Sequence, residues 1–91
     1  MKDLITELET LSGWNVPETD RLEWLLRKLP KFAHDAEFCM TNDGAGWTVG
    51  YATDAYGFGQ FHFVMSESAD TPEDAAAKLC IELIKNGVLK P

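Results

Sequence analysis

Leu4, Leu8 and Leu11 recur at offsets of four and three along the opening segment, with Ile5 beside them. That spacing predicts an amphipathic helix with one apolar stripe. Asp3 suits the N-cap, and Gly13 suits the left-handed turn that ends such a helix. A second helix is predicted in Pro17–Leu29, beginning at either Pro17 or Thr19. Leu22, Leu25, Leu26 and Leu29 fall there on offsets of zero, three, four and seven, and Pro30 stops it. The period then changes to two. Ala36, Phe38 and Met40 alternate with Glu37, Cys39 and Thr41; Trp47, Val49 and Tyr51 alternate with Thr48, Gly50 and Ala52; Phe61, Phe63 and Met65 alternate with Gln60, His62 and Val64. Three such runs, joined by the turn material of residues 42–46 and 54–57, predict a β-meander with one face covered by helices and one smaller and more polar.

The C-terminal helix is the most fully signalled element. Thr71 offers a capping hydroxyl, Pro72 stands at the first helical position, and Asp74 lies three residues after the cap. Ala76, Leu79, Cys80 and Leu83 then repeat core offsets, with Ala77, Ile81 and Ile84 widening the apolar arc, before Lys85, Asn86 and Gly87 end it. The expected fold is one α+β domain over residues 1–91. It has two N-terminal helices, a three-stranded antiparallel meander and a C-terminal helix, in a layered α/β sandwich.

Composition narrows the function classes. An apolar share of 45%, with three Trp, two Tyr and five Phe, is core material enough for a single domain without staples. Segments long and apolar enough to span a membrane are lacking, and MKDLITELETL has no continuous apolar run of the signal-peptide kind. A cytoplasmic location in a bacterial or phage-infected host cell is the expectation. Cys39 and Cys80 have no CxxC spacing and read as reduced, buried thiols. A formal charge of −7 opposes nucleic-acid binding, which draws its affinity from Lys and Arg; the one basic cluster, Arg27, Lys28 and Lys31, suits a helix C-terminus.

YGFGQFHFV, residues 56–64, looks like the glycine-and-aromatic strand signature of RNA-recognition domains. The element order differs from theirs, the leading basic residue is Tyr56, and Gln60 replaces an aromatic. A hairpin with core-facing aromatics accounts for the same residues. For catalysis, Cys39, His62 and Glu37 form the one triad worth naming, because a thiolate needs a base about 3 Å away and an orienting group behind it. All three are expected on or near the polar sheet face, yet an intervening strand would separate Cys39 from His62, so the expectation is a non-enzyme. His34, Asp35 and Glu37 with His62 lack a paired metal-ligand spacing, and neither a metal nor a cofactor is expected. Binding candidates are Trp14 and Trp24 in the helical half, with Tyr56 and Phe58 in the hairpin. Trp24 is off the leucine stripe, and folding over the flank of the core is the expected reading, with an exposed binding anchor as the alternative. The acids are scattered, so no single anionic stripe is expected.

Two segments carry a resemblance. Asp3-Leu4-Ile5-Thr6-Glu7-Leu8-Glu9, and the run from Ala69 through Thr71-Pro72-Glu73-Asp74-Ala75 to Leu79-Cys80 and Ile84, resemble small phage and prophage proteins of the phage ABA sandwich kind, with Gly46-Trp47 between them. The resemblance implies a phage-derived α-β-α sandwich with no catalytic residues to carry over. It also implies work by binding a host or phage protein. A protein partner is therefore the expectation, with self-association as a further partner class.

Overall fold

The computed structural model describes residues 3–33, 35–42, 44–53 and 62–90. Helix α1 spans Leu4–Ser12, capped by the Asp3 carboxylate, which accepts from the Ile5 N–H, and closed by Gly13 at φ 77°. Helix α2 spans Arg21–Lys28, and α3 spans Pro72–Lys85. Thr71 caps α3 by accepting from the Asp74 N–H at 3.2 Å, with Pro72 in the first turn as the sequence requires. The predicted start of α2 is corrected. Asp20 takes a left-handed conformation at φ 54°, which breaks the chain direction and leaves residues 17–20 outside the helix.

Among the described residues four strands, not three, form the sheet: β1 Phe32–Ala33, β2 Ala36–Asn42, β3 Trp47–Thr53 and β4 His62–Ala69, antiparallel in the order β1-β2-β3-β4. Two residues are too few to show alternation, which hid β1 from the sequence. It pairs Phe32 with Glu37 and Ala33 with Ala36, and Asp35 at φ 59° supports the tight reversal. The α+β class and the meander order stand as expected.

Cross-strand register assigns the faces. Phe38, Tyr51 and Met65 lie in one row, and Met40, Val49 and Glu67 in the next, on the side that α3 covers. Tyr51 and Val49 are fully buried. Cys39, Gly50 and Ser66, then Thr41, Thr48 and Ser68, make the opposite face, where the Thr48 and Ser68 hydroxyls share a 2.9 Å hydrogen bond. The register slips between Tyr51 and Ala52, leaving Val64 as the extra residue of a bulge on β4. Phe63 therefore partners Ala52, on the face away from α3, while Met65 packs on the core. The expectation that Phe63 and Met65 share an inward face is corrected by that one inserted residue. Phe61 lies outside the described residues.

Helix α3 stands between the sheet on one side and α1 with α2 on the other. Its buried positions, Ala75, Ala76, Ala77, Leu79, Cys80, Ile81 and Leu83, wrap most of its circumference, as a central helix demands. Small alanines at its start let neighbouring backbones approach, and Leu8 of α1 and Leu25 of α2 are fully buried in the same core. No described helix is long and apolar enough to cross a membrane.

Candidate functional site

The connection after α1 is folded back on the helix that precedes it. The Trp14 N–H donates to Ser12 Oγ at 3.0 Å, and the Val16 N–H donates to Glu9 Oε2 at 2.9 Å. Val16 is buried, so this short segment is pinned at both ends and Trp14 is directed across to α2. There it meets Trp24 edge to face, with ring centroids 5.7 Å apart and planes at 79°. Lys28 follows Trp24 by one helical turn and places its ammonium 5.2 Å from the Trp14 ring centroid and 5.1 Å from that of Trp24. Both indoles are half-buried and pack against the core, while Lys28 is exposed. Trp24 thus combines the two alternatives raised from its position: its body covers the core flank, and part of it stays accessible.

The surroundings are mixed in charge. Arg27 pairs with Glu23 at 2.6 Å in a solvent-facing i,i+4 bridge of little energetic weight. A shallow depression beside Trp24 is lined by Pro17, Thr19, Asp20, Glu23 and Arg27. Farther along, Glu18, Asp20, Glu23, Glu73 and Asp74 gather around a groove at the starts of α2 and α3. The acids are scattered along the chain, and some of them meet here, with Arg21 among them, because two helix N-termini lie side by side and each carries acids that favour its dipole.

The catalytic candidates do not assemble. Cys39 lies opposite Gly50, and His62 lies opposite Thr53, three residues farther along β3 and one strand beyond. Two strand spacings and three residue rises separate the backbones of Cys39 and His62 by about 14 Å. The bulge also puts His62 in register with Thr53 on the α3 side, whereas Cys39 and Glu37 occupy the other face. The expected common polar face is corrected accordingly. Among the described residues, no group of three His, Cys, Asp or Glu side chains is placed to hold a metal ion. Both cysteines are free; Cys80 is buried as expected, and Cys39 is only half-buried, on the sheet face away from α3. Burial pushes the Cys80 thiol up to about 12, which suits a packing residue better than a nucleophile. Tyr56, Phe58 and His34 lie outside the described residues; His62, Phe63 and Val64 of the aromatic motif belong to β4.

Comparisons with protein-family models, curated proteins and solved structures find no match for this chain. The meander order of the sheet, preceded by two helices, differs from the strand–helix–strand arrangement of the RNA-recognition fold.

The tryptophan pair was accessible to sequence reasoning only in part. Trp24 and Lys28 are four apart in a predicted helix, so their contact follows from spacing. Trp14 joins them through the fold-back after Gly13, which depends on Glu9 reaching the Val16 amide.

Proposed function

We propose that this chain is a small phage- or prophage-derived, non-enzymatic protein-binding module of the bacterial or infected-cell cytoplasm. Its partner is a host or phage protein, which it engages through the Trp14–Trp24–Lys28 face. The observation that carries the reading is the edge-to-face indole pair beneath an exposed lysine. Indoles held rigid by the core lose little entropy on binding, and tryptophan is enriched among residues that dominate interface energies. Lys28, above the two rings, gives this face a cation on a chain of net charge −7, and it offers a partner carboxylate a place beside the indoles even though Arg27 is paired with Glu23. The phage origin rests on the resemblance of the two chain ends. Separation of Cys39 from His62 supports the non-enzymatic part, and the acidic balance argues against nucleic acid as the partner.

Affinity capture from a bacterial lysate, read by mass spectrometry, tests the reading. Wild-type bait should retain a discrete protein that Lys28→Glu bait loses and that Thr41→Ala bait, altered on the sheet face away from the helices, keeps. Failure to retain any protein specifically, or equal retention by all three baits, counts against it.

A further inference from the structure

The sheet has two edges of unequal character. β1 is two residues long, whereas β4 is eight and pairs, among the described residues, only with β3. Near its end the Ser68 carbonyl accepts from Lys78 Nζ at 2.8 Å, which marks that carbonyl as turned to the free edge. Backbone groups alternate along an antiparallel strand, so Ser66, two residues earlier, presents its N–H and C=O on the same edge. β4 carries neither the lysine nor the proline that commonly blunts an edge, and its only formal charge is Glu67.

Beside this edge runs one strip of α3. Lys78, Glu82 and Lys85, at offsets of zero, four and seven, lie on one helix side and are among the half-buried or exposed members of a largely buried helix. Lys78 touches Ser68, and both Lys78 and Glu82 act electrostatically on Glu67, so the strip borders β4. Glu67 and Glu82 stand beside Lys78 and Lys85 along this border, and Asp70 and Asp74 flank its start next to Lys78 and Ser68, so opposite charges lie side by side on a chain whose net charge is −7. Copies of such a chain repel each other in general, and the lysines of this border are where the acids of a second copy find opposite charge.

We propose that the free edge of β4 pairs antiparallel with β4 of a second copy of this chain, about a two-fold axis close to Ser66, giving one continuous eight-stranded sheet. The axis places the two α3 helices side by side on the same sheet face, at a helix-packing distance of about 10 Å. The strips then run antiparallel, and Lys78 faces Glu82 of the second copy. An ammonium has three donors, so Lys78 keeps the Ser68 carbonyl while reaching that carboxylate. This surface is separate from the tryptophan face and does not depend on it.

Analytical ultracentrifugation of the whole chain from about 1 μM to 1 mM tests the pairing, because mass action shows dimerisation as a concentration-dependent mass. The wild type should move from monomer to dimer within that range. Lys78→Glu and Glu82→Lys should each weaken dimerisation by about tenfold or more, since each sets like charges against each other across the axis. Mixing the two variants should restore association, because every cross-axis pair is then opposite in sign. If Lys78→Glu disturbs the fold, as far-UV circular dichroism would reveal, Glu82→Lys alone and the edge-blocking Ser66→Pro give the same reading. A monomer at every concentration overturns the proposal, whatever other protein the chain binds. So does a dimer indifferent to the charge reversals or to Ser66→Pro.

Discussion

The phenolic hydroxyl of Tyr51, at the centre of the sheet, donates a 2.7 Å hydrogen bond to the carbonyl oxygen of Pro30 at the end of the α2 connection. Tyr51 is fully buried and meets Phe38 edge to face at 5.9 Å. The bond satisfies both a buried hydroxyl and the carbonyl of a residue that cannot continue a helix, and so ties the helical half to the sheet. Tyr51→Phe keeps the ring and orphans the carbonyl. It should cost about 1–2 kcal/mol in urea unfolding. An unchanged midpoint would mean that water takes over the Pro30 carbonyl without loss.

Alkaline stability should reflect the same neighbourhood. Burial, reinforced by Cys80, raises Tyr51 from 10.0 to about 12, and burial raises Cys80 from 9.0 to about 12. Both groups are neutral when protonated, and the folded state holds their protons more tightly than the unfolded chain. Their contribution is intact below about pH 9 and is lost as pH rises from there towards 12. Stability should be level from pH 7 to about 8 and fall from about pH 9 to 11, and Cys80→Ala should flatten the lower part of that fall.

The Trp14–Trp24 contact should appear as coupling. A double-mutant cycle with Trp14→Ala and Trp24→Ala should give an interaction of about 0.5–1.5 kcal/mol. Lys28→Ala should remove about 0.5–1 kcal/mol. Denaturant titration followed by circular dichroism avoids relying on the indoles that are being removed. Strict additivity would show that the two rings are neighbours without being partners.

How much of this was legible in sequence follows from how local each feature is. Thr71, Pro72 and the alanine–leucine pattern define α3 without reference to the rest of the chain, and the alternation in β2 and β3 defines a half-covered sheet. Features requiring two distant segments were not readable. β1 exists because Phe32 and Ala33 find Glu37 and Ala36 across a reversal, and the bulge exists because β4 carries one more residue than β3 at Val64. That single insertion moved Phe63 off the inner face and His62 out of the Cys39 row. The border of β4 and α3 shows neither in periodicity nor in composition, since Lys78 and Ser68 meet only after the helix returns over the sheet.

Gly50 is required by close approach, not by its dihedral angles. A Cβ there would run into the Met65 carbonyl oxygen and stand 2.7 Å from Ser66 Cα, both backbone atoms with little room to yield. Gly50→Ala should therefore destabilise by about 2 kcal/mol or more, because β3 and β4 must move apart. Gly44 offers the contrast: nothing lies within 4 Å of its added Cβ, but φ is +88°. Gly44→Ala should cost only the turn strain, about 1 kcal/mol. Thermal melts of the two variants should rank in that order, and a reversed ranking would place the strain at the hairpin instead.

Glu67 is the one charge on β4, and its position is uncomfortable. Partial burial raises its carboxyl above 4.5, Glu82 adds to the rise, and Lys78 opposes it. The folded state thus binds the Glu67 proton more tightly than the unfolded chain does. Ionisation at neutral pH is a cost, and stability gains as pH falls towards 4.5 through this group. Other carboxylates add their own dependence, so the difference between variants is the informative quantity. Glu67→Gln should be more stable than wild type at pH 7 by a few tenths of a kcal/mol, the scale of a like-charge contact near solvent. The advantage should disappear below about pH 4.5, where Glu67 is protonated in both states. Urea unfolding of both chains at pH 4 and pH 7 decides it: an advantage that persists at pH 4 would trace to packing and not to charge.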